Sequence, residues 1–291
     1  MNTLDLSNKL SATLISIYTE ISQVMEKHEV DFVVIGATAR DIVLVHCFSA
    51  KIERGTRDVD FAISVENWDA FNLVKKSLSN CNFMEDPNLC YRFIKTGEDG
   101  LTWEVDVLPF GGLEKNNTII WPPEHSVIMS TYGFSEAIRS AYQVRISEEV
   151  ILPVASLEGM ILLKLVAWTE REMRHREKDV QDFEYIIQNC INIPDKEQKM
   201  YNDGYMELYD FDQHLAAASL MGDMCRDLAK TETLEYLRES LFDNKRQSRY
   251  FVNEMVKHSK YGKECQSIFD IFKSSIIFND EVNDVDKSKK K

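Results

Sequence analysis

Asp58-Val59-Asp60-Phe61-Ala62-Ile63 sets the strongest limit on how this chain folds. The alternation fits a strand that turns Val59, Phe61 and Ile63 toward a core and Asp58 and Asp60 toward the other face. Two carboxylates side by side repel, and a divalent cation is the usual means of keeping both ionised. Taken alone, the pair fits either a solvated sheet edge or a cation site, and the flanking segments bear on the choice. Upstream, Asp31-Phe32-Val33-Val34-Ile35 is a short apolar run closed by Gly36-Ala37-Thr38-Ala39-Arg40-Asp41, the pattern of a strand, a glycine turn and a helix start. The first amides of a helix lack intrahelical partners and bind anions. Downstream, residues 101–109 alternate again, with Glu104 and Asp106 on one face, Val105 and Val107 on the other, and an expected end at Pro109. If the two strands are neighbours, Asp106 joins Asp58 and Asp60 in a three-carboxylate cluster beside a phosphate-binding turn.

Gly36-Ala37-Thr38, Asp58-Val59-Asp60 and Asp106 on a later strand resemble the nucleotidyltransferase superfamily of DNA polymerase beta, poly(A) polymerase and the antibiotic nucleotidyltransferases. Within it the chain is most similar to the AbiEii-type group, known from the nucleotidyltransferase toxins of type IV toxin-antitoxin systems. The stretch from Gly36 to Asp41 is also similar to the Gly-Gly-x-x-Arg-Asp opening of CCA-adding enzymes, with Ala37 in place of the second glycine. The resemblance implies an α+β fold: a nucleotidyltransferase core of mixed β-sheet with flanking helices, followed by a helical C-terminal region. It implies metal-dependent transfer of a nucleoside monophosphate from a nucleoside triphosphate, ATP or another, to an acceptor hydroxyl. The acceptor it points to is RNA, at a tRNA 3′ end, with a cognate antitoxin protein as a possible partner. Asp58, Asp60 and Asp106 then hold the metal, two Mg2+ or Mn2+ ions, and Asp106 is a candidate to receive the proton of the attacking hydroxyl.

Other positions follow with their alternatives. Gly36, Ala37 and Thr38 are candidate phosphate contacts, and Arg40 is either another or one half of a salt bridge. The basic loop of Lys51, Arg54 and Arg57 is either solvated or in touch with phosphate. A long helical pattern, 157–189, starts after a capping Ser156 and places Lys164, Arg171, His175, Lys178 and Asp182 along one line. That line reads as a wet face or as a basic rail on the cleft. Lys164, flanked by Met160 and Trp168, is the preferred catalytic cation. Lys164, Lys178, Asp179 and Asp182 also match the AbiEii pattern, whose arginine corresponds to Arg171, Arg174 or Arg176. Lys178 is counted with the phosphate contacts, and Glu104, Arg171, Arg174, Asp179 and Asp182 with the supporting residues.

Composition adds limits. With 44% hydrophobic and 28% charged residues the 291-residue chain has a globular balance. A net charge of −14 opposes indiscriminate binding to phosphate backbones and leaves room for one local patch. Six scattered cysteines form no Cys-x-x-Cys pair, which argues against a zinc ribbon or disulfide framework. No run reaches the ~18 apolar residues of a membrane span, and a cytoplasmic location with no membrane partner is expected. The expected organisation is an N-terminal helix (1–27), the core with its sheet extension (28–155) and the cleft-facing helical segment (156–192). A linker (193–212), a C-terminal helical domain (213–278) and a disordered tail (279–291) complete it. Two other function classes stay open: the same chemistry on a small molecule or protein side chain, and a non-catalytic nucleotide-binding module.

Overall fold

Strand formation follows burial along the chain. In a computed structural model that describes residues 3–7, 9–52, 56–122, 128–173, 175–259 and 262–277, Val59, Phe61 and Ile63 are fully buried while Asp58 and Asp60 keep partial solvent contact. The elements in order are β1 (Leu4–Asp5), α1 (Ala12–Lys27), β2 (Asp31–Ile35), α2 (Gly36–Arg40), β3 (Asp58–Val65) and α3 (Trp68–Asn80). Then come β4 (Met84–Glu85), β5 (Arg92–Thr96), β6 (Thr102–Gly111), the small hairpin β7 (Thr118–Ile120) and β8 (Ile128–Ser130), α4 (Phe134–Arg139), β9 (Tyr142–Arg145) and β10 (Ile151–Val154). The helical half holds α5 (Leu157–Glu170), α6 (Glu177–Asn189), α7 (Pro194–Asn202), α8 (Tyr205–Leu208), α9 (Gln213–Leu228), α10 (Thr231–Leu237), α11 (Lys245–His258) and α12 (Glu264–Ile277).

Eight of the described strands form one mixed sheet in the order β1-β9-β10-β2-β3-β6-β5-β4, and β7 and β8 pair apart from it as a two-stranded sheet. At its centre β3 runs antiparallel to β2 and parallel to β6, with Asp60 opposite Asp106 and Asp58 opposite Glu104. The fold is therefore α+β, with helices flanking a mixed sheet and a helical C-terminal region. The expected extension after residue 113 is present as β9 and β10, which join the sheet beside β2.

Several local expectations are corrected. β6 continues through Pro109 to Gly111. Val107 N donates to Tyr91 O on the β5 side, and β5 pairs only as far as Asp106, so the donor that Pro109 lacks falls beyond the end of β5. The single helix expected over 157–189 is two helices: Ser156 caps α5 as anticipated, but Arg171 adopts extended backbone and α6 begins at Glu177. No glycine or proline marks this break. It is fixed from outside, by Arg176, whose guanidinium lies 4.3 Å from the Trp168 ring and donates to Glu254 at 2.9 Å. Residues 193–212, read as a linker, carry α7 and α8; Pro194 at the first helical position, with Asp195 and Glu197 in the first turn, favours α7. The 279–291 tail, Arg54 and Arg174 lie outside the described residues. No described helix is long and apolar enough to cross a membrane.

Candidate active site

The turn after β2 brings backbone closest to the acids. Gly36 has φ +75, a left-handed value suited to glycine, and a Cβ built there would overlap Asp60 Oδ2. The absence of a side chain is what lets the turn lie against the carboxylate. Thr38, buried one turn on, donates its hydroxyl to the carbonyl of Asp58, tying the turn to β3.

Asp60 and Asp106 face one cleft of about 350 Å3, whose lining also includes Gly36, Lys164, Arg171 and Asp179. Burial, followed by the charges of Asp106 and Asp58, pushes the Asp60 carboxyl up to about 7, against the opposing pull of Lys164 and Arg171. Asp106 is held differently. Arg92 on β5, its register partner, donates Nε to Oδ1 at 2.7 Å and Nη2 to Oδ2 at 2.9 Å, and its Nη1 pairs with Glu104. The hydrogen bond to Asp106 is the main cause that holds the Arg92 guanidinium above its ordinary value. Arg92, and Tyr91 and Tyr132 on the cleft lining, are residues that the sequence did not disclose. The meeting of Arg92 with Asp106 depends on antiparallel register across a hairpin, and no motif carries it.

The opposite wall comes from α5 and α6. Lys164 Nζ lies 2.6 Å from Asp182 Oδ2 and 3.3 Å from Asp179 Oδ1. Both carboxylates have side chains that are 0% exposed, whereas Lys164 retains 14%. Burial pulls the lysine down, but Asp182 and Asp179 more than offset it, so Lys164 stays above its ordinary value and remains a cation. Arg171 Nη1 donates to both oxygens of Asp179, at 2.9 and 2.8 Å. Asp179 and Asp182 thus hold the cationic wall in place.

Other candidates sit apart. Arg40 is buried and pairs with Asp41 and Asp182, the salt-bridge alternative for that residue. Arg57 is exposed, and its carbonyl accepts from Glu104 N at 3.0 Å. Lys178 is exposed and makes no ion pair among the described residues. Asp58, Ala37, Thr38 and Glu104 do not line the cleft, although Asp58 adjoins it through Asp60. The apolar wall is aromatic: Tyr91, Trp121 and Tyr132 face the cleft, with Tyr91 and Trp121 centroids 5.7 Å apart. Trp103 is buried and serves packing.

A mixed sheet whose register-paired carboxylates face a glycine turn, with a lysine projecting from the helical half, is the core of a nucleotidyltransferase. The chain belongs to the AbiEii nucleotidyltransferase family: it matches the family described as "Nucleotidyl transferase AbiEii toxin, Type IV TA system" over residues 23–254, well over half of its length. No curated protein matches this sequence. Solved structures similar in fold include an antigenic nucleotidyltransferase-like protein from Paracoccidioides brasiliensis, at 17% identity and TM-score 0.40 over 73% of this chain and 94% of that one. The lincomycin-bound lincosamide antibiotic adenylyltransferase LnuA follows at 15% identity and TM-score 0.36, over 61% and 96%. The Thermotoga maritima CCA-adding enzyme complexed with tRNA stands at 10% identity and TM-score 0.24, over 97% and 82%. At TM-scores below 0.5 these likenesses carry no further weight.

Proposed function

We propose that this protein transfers a nucleoside monophosphate from a nucleoside triphosphate to a hydroxyl of RNA, at a tRNA 3′ end, and acts as the toxin of a toxin-antitoxin pair. The observation that carries the chemistry is the cleft itself, where Asp60 and Asp106 on one wall face Lys164 and Arg171 on the other.

Among the described residues no three His, Cys, Asp or Glu side chains converge into a ready cage for a metal ion. The donors nonetheless fit a hard cation. All are carboxylate oxygens, and Mg2+ is commonly held by one or two carboxylates together with substrate phosphates. Asp60, half-buried beside Asp106 and raised toward neutrality, is an acid whose charge lacks full local compensation. Asp60 and Asp106, which line the cleft, would hold Mg2+ or Mn2+ with Asp58 beside them, and the cation would neutralise charge on the departing pyrophosphate. The other residues bind and orient. Lys164 and Arg171 face the triphosphate, the backbone at Gly36 and Ala37 approaches it without a side chain in the way, and the Tyr91 and Trp121 wall supports the base. Arg92 fixes the orientation of Asp106.

Transfer of label from each of four α-labelled nucleoside triphosphates into total RNA, and in parallel into protein and small acceptors, tests the reading. Label in a tRNA-sized band that is lost in Asp58→Ala/Asp60→Ala supports it. Label in protein or a small acceptor alone moves the acceptor, and none anywhere from folded protein removes the activity.

A further inference from the structure

The cleft occupies one part of the molecule, and the first half of α11 lies outside it. Lys245, Arg246 and Arg249 fall within the first five positions of that helix, all exposed, and no acidic partner meets them among the described residues. Residues 244–253 contain no acid at all, and the next one, Glu254, already accepts from Trp168 and Arg176. Cations in the first turn of a helix oppose its dipole. In a chain with 48 acidic against 34 basic residues, acidic partners are plentiful elsewhere. Helix stability therefore does not account for the cluster, which is free to meet an external polyanion.

The cluster is also organised around a ring. The Arg246 guanidinium lies 5.4 Å from the Tyr250 centroid and donates to its hydroxyl at 3.2 and 3.3 Å, while Arg176 lies 5.8 Å from the same ring. Arg176, Arg246 and Tyr250 line a shallow basin with Met173, which is 67% exposed. The turn that delivers Arg176 to this basin begins at Arg171, on the lining of the cleft. Cations beside an aromatic face are the elements that hold a nucleic-acid strand, charge for its phosphates and a ring for its bases.

We propose that the α11 surface formed by Lys245, Arg246, Arg249 and Tyr250 docks the backbone of the acceptor RNA while the reacting end reaches the cleft. The proposal rests on RNA being the acceptor. It commits to RNA over an acidic protein because the ring flanked by two guanidiniums adds a stacking element to the charge.

The test is anisotropy of a fluorescent tRNA transcript titrated with the full chain across a series of salt concentrations. It compares wild type, Lys245→Glu/Arg246→Glu/Arg249→Glu, and the charge-preserving Lys245→Arg/Arg246→Lys/Arg249→Lys. Charge reversal is expected to weaken binding at least about tenfold near physiological salt. It should also flatten the salt slope by roughly 2–3, because each phosphate left without its cation takes about 0.7–0.9 from that slope. The charge-preserving variant should stay close to wild type, and an unchanged melting temperature confirms that both variants fold. Equal affinity and slope in the folded reversal variant overturn the surface, and would leave it to an acidic protein. Label transfer separates the two failures: RNA labelled equally by wild type and reversal variant sinks the surface alone. Wild type that neither binds nor labels RNA sinks the acceptor reading and the surface with it.

Discussion

At Asp60 the balance between burial and charge is the quantity that decides behaviour. A carboxyl raised from its ordinary value to about 7 binds a proton in the folded chain that the unfolded chain has already released. Between those two values the native state holds more protons, so stability falls as pH rises and levels off above about 7. Asp60→Asn removes that dependence. Thermal melts at pH 5 and pH 8 should show a smaller loss for the variant, which becomes more stable than wild type at pH 8 by on the order of 1–3 kcal/mol. The same substitution should reduce nucleotidyl transfer at least about a hundredfold, read as initial rate at saturating nucleotide. Gly36→Ala tests the close approach of backbone to carboxylate. With φ +75 and a Cβ that overlaps Asp60 Oδ2, it should cost about 1–3 kcal/mol in denaturant melts and weaken nucleotide affinity as the turn shifts. Alternation in the sequence placed Asp60 and Asp106 on faces that meet at the cleft, and the apolar run before Gly36 announced the turn, whereas Asp58, on the same face of β3 as Asp60, sits off the lining. Arg92 was not legible, because its contact with Asp106 arises only when β5 folds back on β6.

At the scale of elements, the pairing of α5 with α6 builds the cationic wall. Asp182 carries the most: it pairs with Lys164 and Arg40, and its side chain is fully buried. Removing one member of a buried charge network leaves the others uncompensated, at a cost of about 3–5 kcal/mol. Asp182→Ala should therefore lower stability by that amount in urea titrations, while Lys178→Ala, an exposed position, should fall within about 0.5 kcal/mol of wild type. A small effect at Asp182 would contradict its role as anchor. The sequence showed the charges and their helical spacing, yet it implied one continuous helix with Lys164 and Asp182 on the same line. The break at residues 171–176 turns them to face each other. Trp168 and Glu254 hold that break, and Glu254 lies far along the chain, where periodicity says nothing of contact.

Across the whole molecule, the C-terminal helices form the support on which the active-site helices rest. Trp168 packs edge-on against Phe251 at 5.0 Å and donates to Glu254, so α5 and α11 share one buried seam. Glu254→Ala strips both Trp168 and Arg176 of their acceptor and should destabilise by about 2–4 kcal/mol, with a shift in tryptophan emission. The helical character of residues 213–272 was readable from spacing, whereas its attachment to α5 and α6 was not, because the core that joins them is assembled from distant segments. We infer that sheet and helices together make one nucleotide site. The most direct measurement is binding of a non-hydrolysable nucleoside triphosphate analogue, followed by calorimetry with and without Mg2+. Wild type should bind in a cation-dependent way, Asp60→Asn should lose that dependence, and Lys164→Met should bind about ten- to a hundredfold more weakly. Equal binding in all three proteins, with no response to the cation, would contradict the account.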